Sequence, residues 1–406
     1  MTLEKLSSVR NYKAFIWHGL FLALASNFMD VNTVIPSMLI KVGANSVHLG
    51  FLTAIMIGGS SFMQLIFSAA LSNAAFKKFW LLTAINVRIV MLLTMAVLFN
   101  FSPGLSDSFI FVSIYILITI FAFSGAFANV SYINIIGKTI DAQKRKHFFS
   151  LKQIINSAGV LISALIASRV IKSFSYPSNY SYMFLIAGAL LLIASFGFYA
   201  ILEKIPSGKK SGNIKSFFKS MPREVRKNSN LKHYLFIINT LGIGVSLIPF
   251  IILLAKEGIG LSFDKVGNFI IYQTLGMMAG SLTLYALAKR FKYKTVLSFD
   301  LFLGASIPII ALLLRNNTHL FEYIFILTGI FSSTYKVSVN GMLIEISTNE
   351  NRTLYAGISG AGNIIPMFFP IVMGIFIKIL GYEFVFPSIT ILILLSFYSI
   401  RKLNCK

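Results

Sequence analysis

Twelve apolar stretches, each long enough to cross a lipid bilayer, follow one another along this chain. Roughly 20 apolar residues suffice for one helical crossing. The stretches fall at 14–40, 47–72, 79–102, 107–137, 150–172 and 181–204, then at 231–257, 264–289, 293–314, 320–347, 353–379 and 382–402. Only 12% of the 406 residues are charged and the mean hydropathy is +0.79, whereas a soluble domain carries about 25% charge. A membrane β-barrel would instead alternate apolar and polar positions over segments of about 10 residues. Pro and Gly inside several runs are compatible with helix, because neighbouring spans re-satisfy freed backbone groups. The expected fold is an all-α polytopic membrane protein with twelve transmembrane helices.

The net charge of +23 would suit a nucleic-acid-binding chain, but its distribution excludes that class. With a cytoplasmic N-terminus, the inner segments hold 27 of the 36 Lys and Arg. Outer loops and span ends hold Lys41, Arg169, Lys172, Lys256, Lys265, Arg315 and Lys378, and only Arg88 and Lys336 are left within spans. This positive-inside asymmetry places both termini in the cytoplasm, as in the inner membrane of a bacterium. The partner it implies is the lipid bilayer, with anionic lipid at "KIPSGKK" (204–210) or "PREVRK" (222–227) as a secondary possibility. "FLALAS" (21–26) looks like a signal-peptide cleavage region, yet the apolar run continues to Ile40, so an uncleaved first span is expected. The lone Cys405 and five scattered histidines offer no metal cluster. No cofactor and no metal are expected, and the chain is expected to act as a monomer.

Residues 205–230 form the longest polar stretch and divide six spans from six: 1–204, a cytoplasmic linker 205–230, and 231–406. The halves resemble each other weakly. "LSNAAFKKFWLL" (71–82) parallels "LAKRFKYKTVLS" (287–298), and "NVSYINIIGKTIDAQKRK" (129–146) parallels "KVSVNGMLIEISTNENRT" (336–353). The second alignment sets Ser131 over Ser338 and Arg145 over Arg352, each arginine opening a loop-to-span junction. Two pseudo-symmetric six-helix halves point to a substrate path between them and to rocking of one half on the other.

In this architecture the chain resembles the major facilitator superfamily over essentially its whole length. That family's second-to-third-span loop usually reads Gly-x-Leu-Ala-Asp-Arg-x-Gly-Arg-Arg. Here "AALSNAAFKK" keeps Leu71 and the basic pair Lys77–Lys78, with Asn73 at the Asp position and Phe76 at the second Gly. The second copy, "YALAKRFKYK", keeps Leu287 and Arg290 but has Lys289 at the Asp position. The fourth span has Gly125 but Phe121 where the family's frequent Arg-x-x-x-Gly has its arginine, and the fifth has Gly159 without a following Pro. The resemblance implies a transporter fold without the drug–proton antiporter motif and without the family's charged latch at this turn.

Three charges lie deep in spans: Asp30, Arg88 and Lys336. If each span were an uninterrupted helix, they would sit about 24, 14 and 18 Å from the inner end. Ionisable groups at such depth mark functional sites by default. Asp30 is the expected ion-coupling residue. At helical spacing Ser26, Asp30, Thr33 and Ser37 would share one face, flanked by Asn27, while Asn32 points elsewhere and Pro36 introduces a bend. Gly329, Ser332, Lys336 and Asn340 repeat that spacing on the tenth span. The resemblance places both spans beside the central cavity. Expected substrate-binding residues are Lys336, Asn340, Thr33, Asn27, Gln64, Tyr132, Gln273 and Asn363, each of which could also serve as interhelical glue. Arg88, Arg145, Arg352, Pro36, Gly357, Gly360, Gly362 and Pro366 are expected in structural or gating roles. "GISGAGNIIPMFFP" (357–370) resembles a phosphate loop but follows no strand, so close packing with a Pro-softened hinge is the better reading. Gly276 and Gly280 form a small-xxx-small contact.

No nucleotide-binding loop is present, so any coupling must use a proton or sodium gradient. A secondary transporter of a small organic solute is the first expectation. An exporter or flippase of lipophilic compounds, suggested by 39 Phe, is the alternative. No clustered nucleophile, metal or acid–base set marks an enzyme.

Overall fold

The computed structural model describes residues 3–71, 74–140, 142–204, 206, 222–287, 292–347, 355, 358–360, 362–363 and 365–403. Among these residues there is no strand, and helices cover nearly the whole chain. Among the described residues nine segments are long and apolar enough to cross a membrane, from Ser8–Lys41 to Tyr382–Lys402. Three more helical stretches complete the twelve: the second span, from Ser46 to Ala70, the eighth, Phe263–Leu287, and the tenth, Ile324–Ile346. Large apolar side chains such as Phe79, Phe101, Phe196, Phe302, Ile379 and Phe384 lie exposed on the helices, as expected of surfaces whose solvent is lipid.

The chain separates into two compact units, Met1–Asp30 with Phe62–Ile214, and Val31–Ser61 with Lys215–Lys406. In the first unit the opening helix, Leu3–Ala25, packs on the fifth span, Ala142–Ser173, and on the sixth, Ser178–Ala200. A Cβ on Gly197 would lie 2.5 Å from the Ala14 carbonyl oxygen, so glycine sets the closeness of the first and sixth spans. Trp17 Nε1 donates to the Ile193 carbonyl at 2.8 Å, and Asn11 pairs with both backbone groups of Leu202. The third span, Lys78–Phe101, packs between the fourth, Asp107–Thr139, and the sixth.

In the second unit the eighth and tenth spans approach through Gly276, Gly280 and Gly329, whose missing side chains would strike the facing backbone or Ser333. The small-xxx-small reading of Gly276 and Gly280 therefore corresponds to a real helix contact. The ninth span, Tyr293–Leu314, lies against the tenth and against Tyr382–Leu394. Ser46–Thr53, followed by a π-helical turn at Ala54–Gly59, packs on the eleventh span, Ile365–Leu380. Ser46 Oγ donates to the Gly374 carbonyl at 2.6 Å there.

Among the described residues, the first, seventh and eleventh spans are not continuous helices. The first runs as α-helix to Ala25, tightens to a 3-10 turn over Ser26–Met29, extends at Asp30 (φ −67°, ψ 129°) and resumes as Val34–Lys41. The seventh is Ser229–Thr240, a short turn Ile243–Ser246, then Ile248–Gly258. The eleventh leaves the helix at Asn363 before Ile365–Leu380.

Candidate functional site

The break in the first span corrects the expected polar stripe. Ser26, Asp30, Thr33 and Ser37 do not share a helical face, because residues 26–33 do not form an α-helix. Depths counted along an uninterrupted helix do not apply to Asp30 either. Pro36 is not the bend: it is the third residue of the resumed helix, where a missing N–H costs little. Short polar side chains (Asn27, Asp30, Asn32, Thr33) compete with the helical backbone for hydrogen bonds and so disfavour a continuous helix here. Asn27 is buried; its Nδ2 donates to the Val160 carbonyl at 2.8 Å and its own N–H donates to Ser163 Oγ at 3.1 Å. The amide thus braces the interrupted backbone against the fifth span. Thr33 and Ser37 are fully buried within the second unit, and Ser37 Oγ donates to the Val34 carbonyl.

Within the first unit, Tyr132 stands in a group that hydropathy alone did not reveal. Lys152 Nζ donates to Tyr132 Oη at 2.6 Å and lies 4.8 Å from its ring centre. The lysine stem runs past Gly19, where a Cβ would sit 3.6 Å from it. His18 is buried, stacks on Phe198 at 3.7 Å and places Nδ1 3.3 Å from the Ala194 carbonyl. Phe15 meets the Tyr132 ring edge-on at 5.4 Å. A cation, a phenol and an imidazole thus meet among the first, fourth, fifth and sixth spans. The fifth span begins as helix at Ala142, so Lys152 lies well inside it.

Arg88 projects from the third span onto the fourth. Its guanidinium lies 4.3 Å over the Phe121 ring and beside Gly125, where a Cβ would come within 3.4 Å of it. Phe121 and Gly125 are the two positions of the family's Arg-x-x-x-Gly, so a neighbouring span supplies the cation that the fourth span lacks. Arg88 Nε is buried without a hydrogen-bond partner. At the start of the third span Glu203 supplies a carboxylate beside the Lys77–Lys78 pair. It accepts the Lys77 and Lys78 N–H groups at 2.8 and 2.7 Å and forms a salt bridge with Lys138. That arrangement caps the third helix with charge. Burial lowers the pKa of Lys77, Lys138 adds to the effect, and Glu203 opposes it.

The second unit assembles its polar groups around the breaks in the seventh and eleventh spans. Asn239 Nδ2 donates to the Gly362 carbonyl at 2.7 Å, and its Oδ1 accepts the Ile365 N–H at 2.8 Å. One side chain therefore satisfies both sides of the eleventh-span interruption. Asn363 sits in that interruption with its Oδ1 buried and unpartnered. Pro366 is the second residue of the resumed helix, where no N–H is needed, and lies against Gly242 at the seventh-span break. Tyr234 and Ser359 hydroxyls meet at 3.0 Å, and Tyr335 Oη lies 3.4 Å from the Ile238 carbonyl. Lys336 and Asn340 are exposed, one helical turn apart. Midway along a span an exposed ammonium needs water and not lipid around it. Gln273 is buried with Nε2 unpartnered, and its backbone touches Gly329. Gln64 is half-buried on Ser60–Ala70 in the first unit, and Gly360 has open space around it. Arg352 and Gly357 lie outside the described residues, as does the side chain of Arg145.

Sequence reading also missed Asp300. It is completely buried on the ninth span and accepts hydrogen bonds from Thr334 Oγ1 and Ser338 Oγ of the tenth. The available signal was an acid seven residues inside an otherwise apolar run, which averaging over the run conceals.

The family model for the Major Facilitator Superfamily matches residues 16–248 and 234–402. Among curated proteins no relative matches. Among solved structures, a POT family transporter in complex with 5-aminolevulinic acid is 12% identical with a TM-score of 0.71, covering 95% of this chain and 94% of that one. The nucleoside transporter NupG is 14% identical with a TM-score of 0.66, covering 97% and 100%. A bacterial homolog of the human lysosomal transporter Spinster, in an inward-facing and unoccupied conformation, is 13% identical with a TM-score of 0.58, covering 97% and 95%. These likenesses establish the shared fold. With the family model matching nearly the whole length, the chain belongs to the Major Facilitator Superfamily and is a multi-pass membrane transporter.

Proposed function

We propose that this protein is a secondary active transporter that moves a small organic solute by alternating access, driven by a proton or sodium gradient. The observation that carries this reading is the interrupted first span. Non-helical backbone at membrane depth is tolerated where it is buried in protein or lines a cavity, and such interruptions hold ions and substrates in transporters. Asp30, at the extended residue of that interruption, is the ion-coupling group. Lys336 and Asn340, exposed on the tenth span, bind the solute, which therefore carries an anionic or strongly hydrogen-bonding group. Tyr132 with Lys152 contributes from the first unit. Both termini face the cytoplasm in this reading, and no enzymatic step is involved.

A thermal-shift screen of purified protein against metabolites supplies the solute. Accumulation in proteoliposomes then tests the coupling. Asp30→Asn is expected to abolish concentrative uptake while sparing membrane insertion and solute exchange. Wild-type accumulation by Asp30→Asn would remove Asp30 from the coupling role.

A further inference from the structure

Asp300 is the buried ionisable group that the transport reading leaves unused. Its residue is fully buried, about 10 Å along the helix from the inner end of the ninth span. Among the described residues it makes no salt bridge, and its partners are the hydroxyls of Thr334 and Ser338, at 2.5 and 2.7 Å. An unpaired carboxylate in such a place is expensive, and a bound proton removes the charge.

The two hydroxyls are placed to serve either protonation state. Thr334 Oγ1 also lies 2.8 Å from the Ile330 carbonyl, and Ser338 Oγ 3.0 Å from the Tyr335 carbonyl. When Asp300 is ionised, each hydroxyl donates its hydrogen to the carboxylate. When an Asp300 oxygen takes a proton, its new O–H donates to one hydroxyl oxygen, which turns its own hydrogen to the backbone carbonyl. A hydroxyl both donates and accepts, so both states are fully bonded and only hydrogens turn. Thr334 also lines a cavity of about 440 Å³ between the eighth, ninth and tenth spans, bounded by Gly280, Thr283, Thr295 and Phe299.

Other charged groups on the packed elements stand apart. Among the described residues, Tyr335 lies within electrostatic reach of Asp300. Lys336 occupies the opposite face of the tenth span, since residues two apart on a helix point about 200° from each other, and Glu345 lies toward its end. Glu383 pairs with Arg315 and Glu257 with Tyr382 at the other end of the ninth span. Arg401 and Lys402 lie at the C-terminal helix end, where Lys294 donates to the Arg401 carbonyl.

We propose that Asp300 is a proton-binding site that acts on the tenth span from the face opposite Lys336. This rests on the reading of the protein as an ion-coupled transporter, with the proton as its second ligand. Thr334 and Ser338 anchor one face of that helix to the carboxyl group, and Lys336 and Asn340 present the other face to the solute.

Infrared difference spectra of the purified full-length protein, taken between acid and alkaline buffers, test the site with the proton itself as probe. A protonated-carboxyl C=O band is expected to titrate in the wild type and in Asp30→Asn, and to be lost in Asp300→Asn. Ser338→Ala and Thr334→Val should retain the band and move it to higher frequency as a hydrogen bond is lost, which keeps the test decisive if Asp300→Asn does not fold. A spectrum unchanged by Asp300→Asn, or a band unmoved in both hydroxyl variants, overturns the site. Coupling to the tenth span is read from maleimide labelling of Asn340→Cys in a Cys405→Ser background. The labelling rate should depend on pH, and Asp300→Asn should abolish that dependence; an identical pH response in both overturns the coupling. Because the infrared band needs no solute and survives Asp30→Asn, loss of the Asp30 assignment would leave this result standing.

Discussion

The side chain of Asn239, on the seventh span, donates to the carbonyl of Gly362 on the eleventh at 2.7 Å. With the Ile365 N–H accepted by the same amide at 2.8 Å, a single residue holds an interrupted helix together. Asn239→Leu preserves the volume and removes both bonds, leaving two backbone groups without partners. A loss of about 2–4 kcal/mol is expected, read from unfolding titrations in detergent. A cost below about 0.5 kcal/mol for the leucine variant would mean that water replaces the amide.

Glu203 serves as both helix cap and ion-pair partner, with its side chain 2% exposed. Glu203→Ala removes the acceptor of the Lys77 and Lys78 N–H groups and the salt bridge to Lys138. Breaking a buried pair from one side costs about 3–5 kcal/mol, and the same unfolding measurement should show a loss of that size. Glu203→Gln, which keeps an acceptor without the charge, should fall between wild type and alanine. Equal stability of all three would show that the cap contributes nothing.

Arg88 should behave oppositely. Its buried Nε lacks an acceptor and its guanidinium rests on Phe121. Replacing a poorly compensated buried charge by an apolar chain of similar length is often neutral or stabilising. Arg88→Met is therefore expected to unfold within about 1 kcal/mol of wild type or to be more stable. A marked loss of transport in that stable variant would assign Arg88 to the mechanism; a loss of stability near 3 kcal/mol would refute the packing account.

Gly50 and Gly43 separate close packing from backbone conformation. A Cβ on Gly50 would lie 2.4 Å from the Pro370 carbonyl oxygen, which belongs to a helix and cannot yield easily. Gly43 has nothing within 4 Å but adopts φ +98°. Gly50→Val should cost about 1–3 kcal/mol through overpacking, whereas Gly43→Ala should cost about 1 kcal/mol through strain alone. Thermal melts of the two variants check the difference, and equal melts would contradict it.

Lys336 carries the solute-binding assignment without a structural burden. It is exposed, so Lys336→Ala should change stability by less than about 0.5 kcal/mol. Affinity for the solute found by thermal-shift screening should fall at least about tenfold, the equivalent of 1.4 kcal/mol. Unchanged affinity would remove Lys336 from the site.

Hydropathy and charge asymmetry made the spans and the expected orientation legible, because each depends on residues close together in the chain. The same averaging hid Asp300, one acid within an apolar run. The polar stripe through Asp30 failed for a related reason. Spacing shows which side chains would share a face if the segment were helical, but it cannot show whether the backbone stays helical.

The sequence by itself determined an all-helical membrane chain of twelve spans in two halves, because transfer of each apolar run to lipid is a sum over local residues. Only the tertiary structure decided where the helices stop. An interruption at membrane depth is stable only when another span supplies the missing hydrogen bonds, as Asn239 does for Gly362 and Ile365 and Ser163 does for Asn27. Those partners lie more than a hundred residues away in the chain, and no local pattern encodes the meeting.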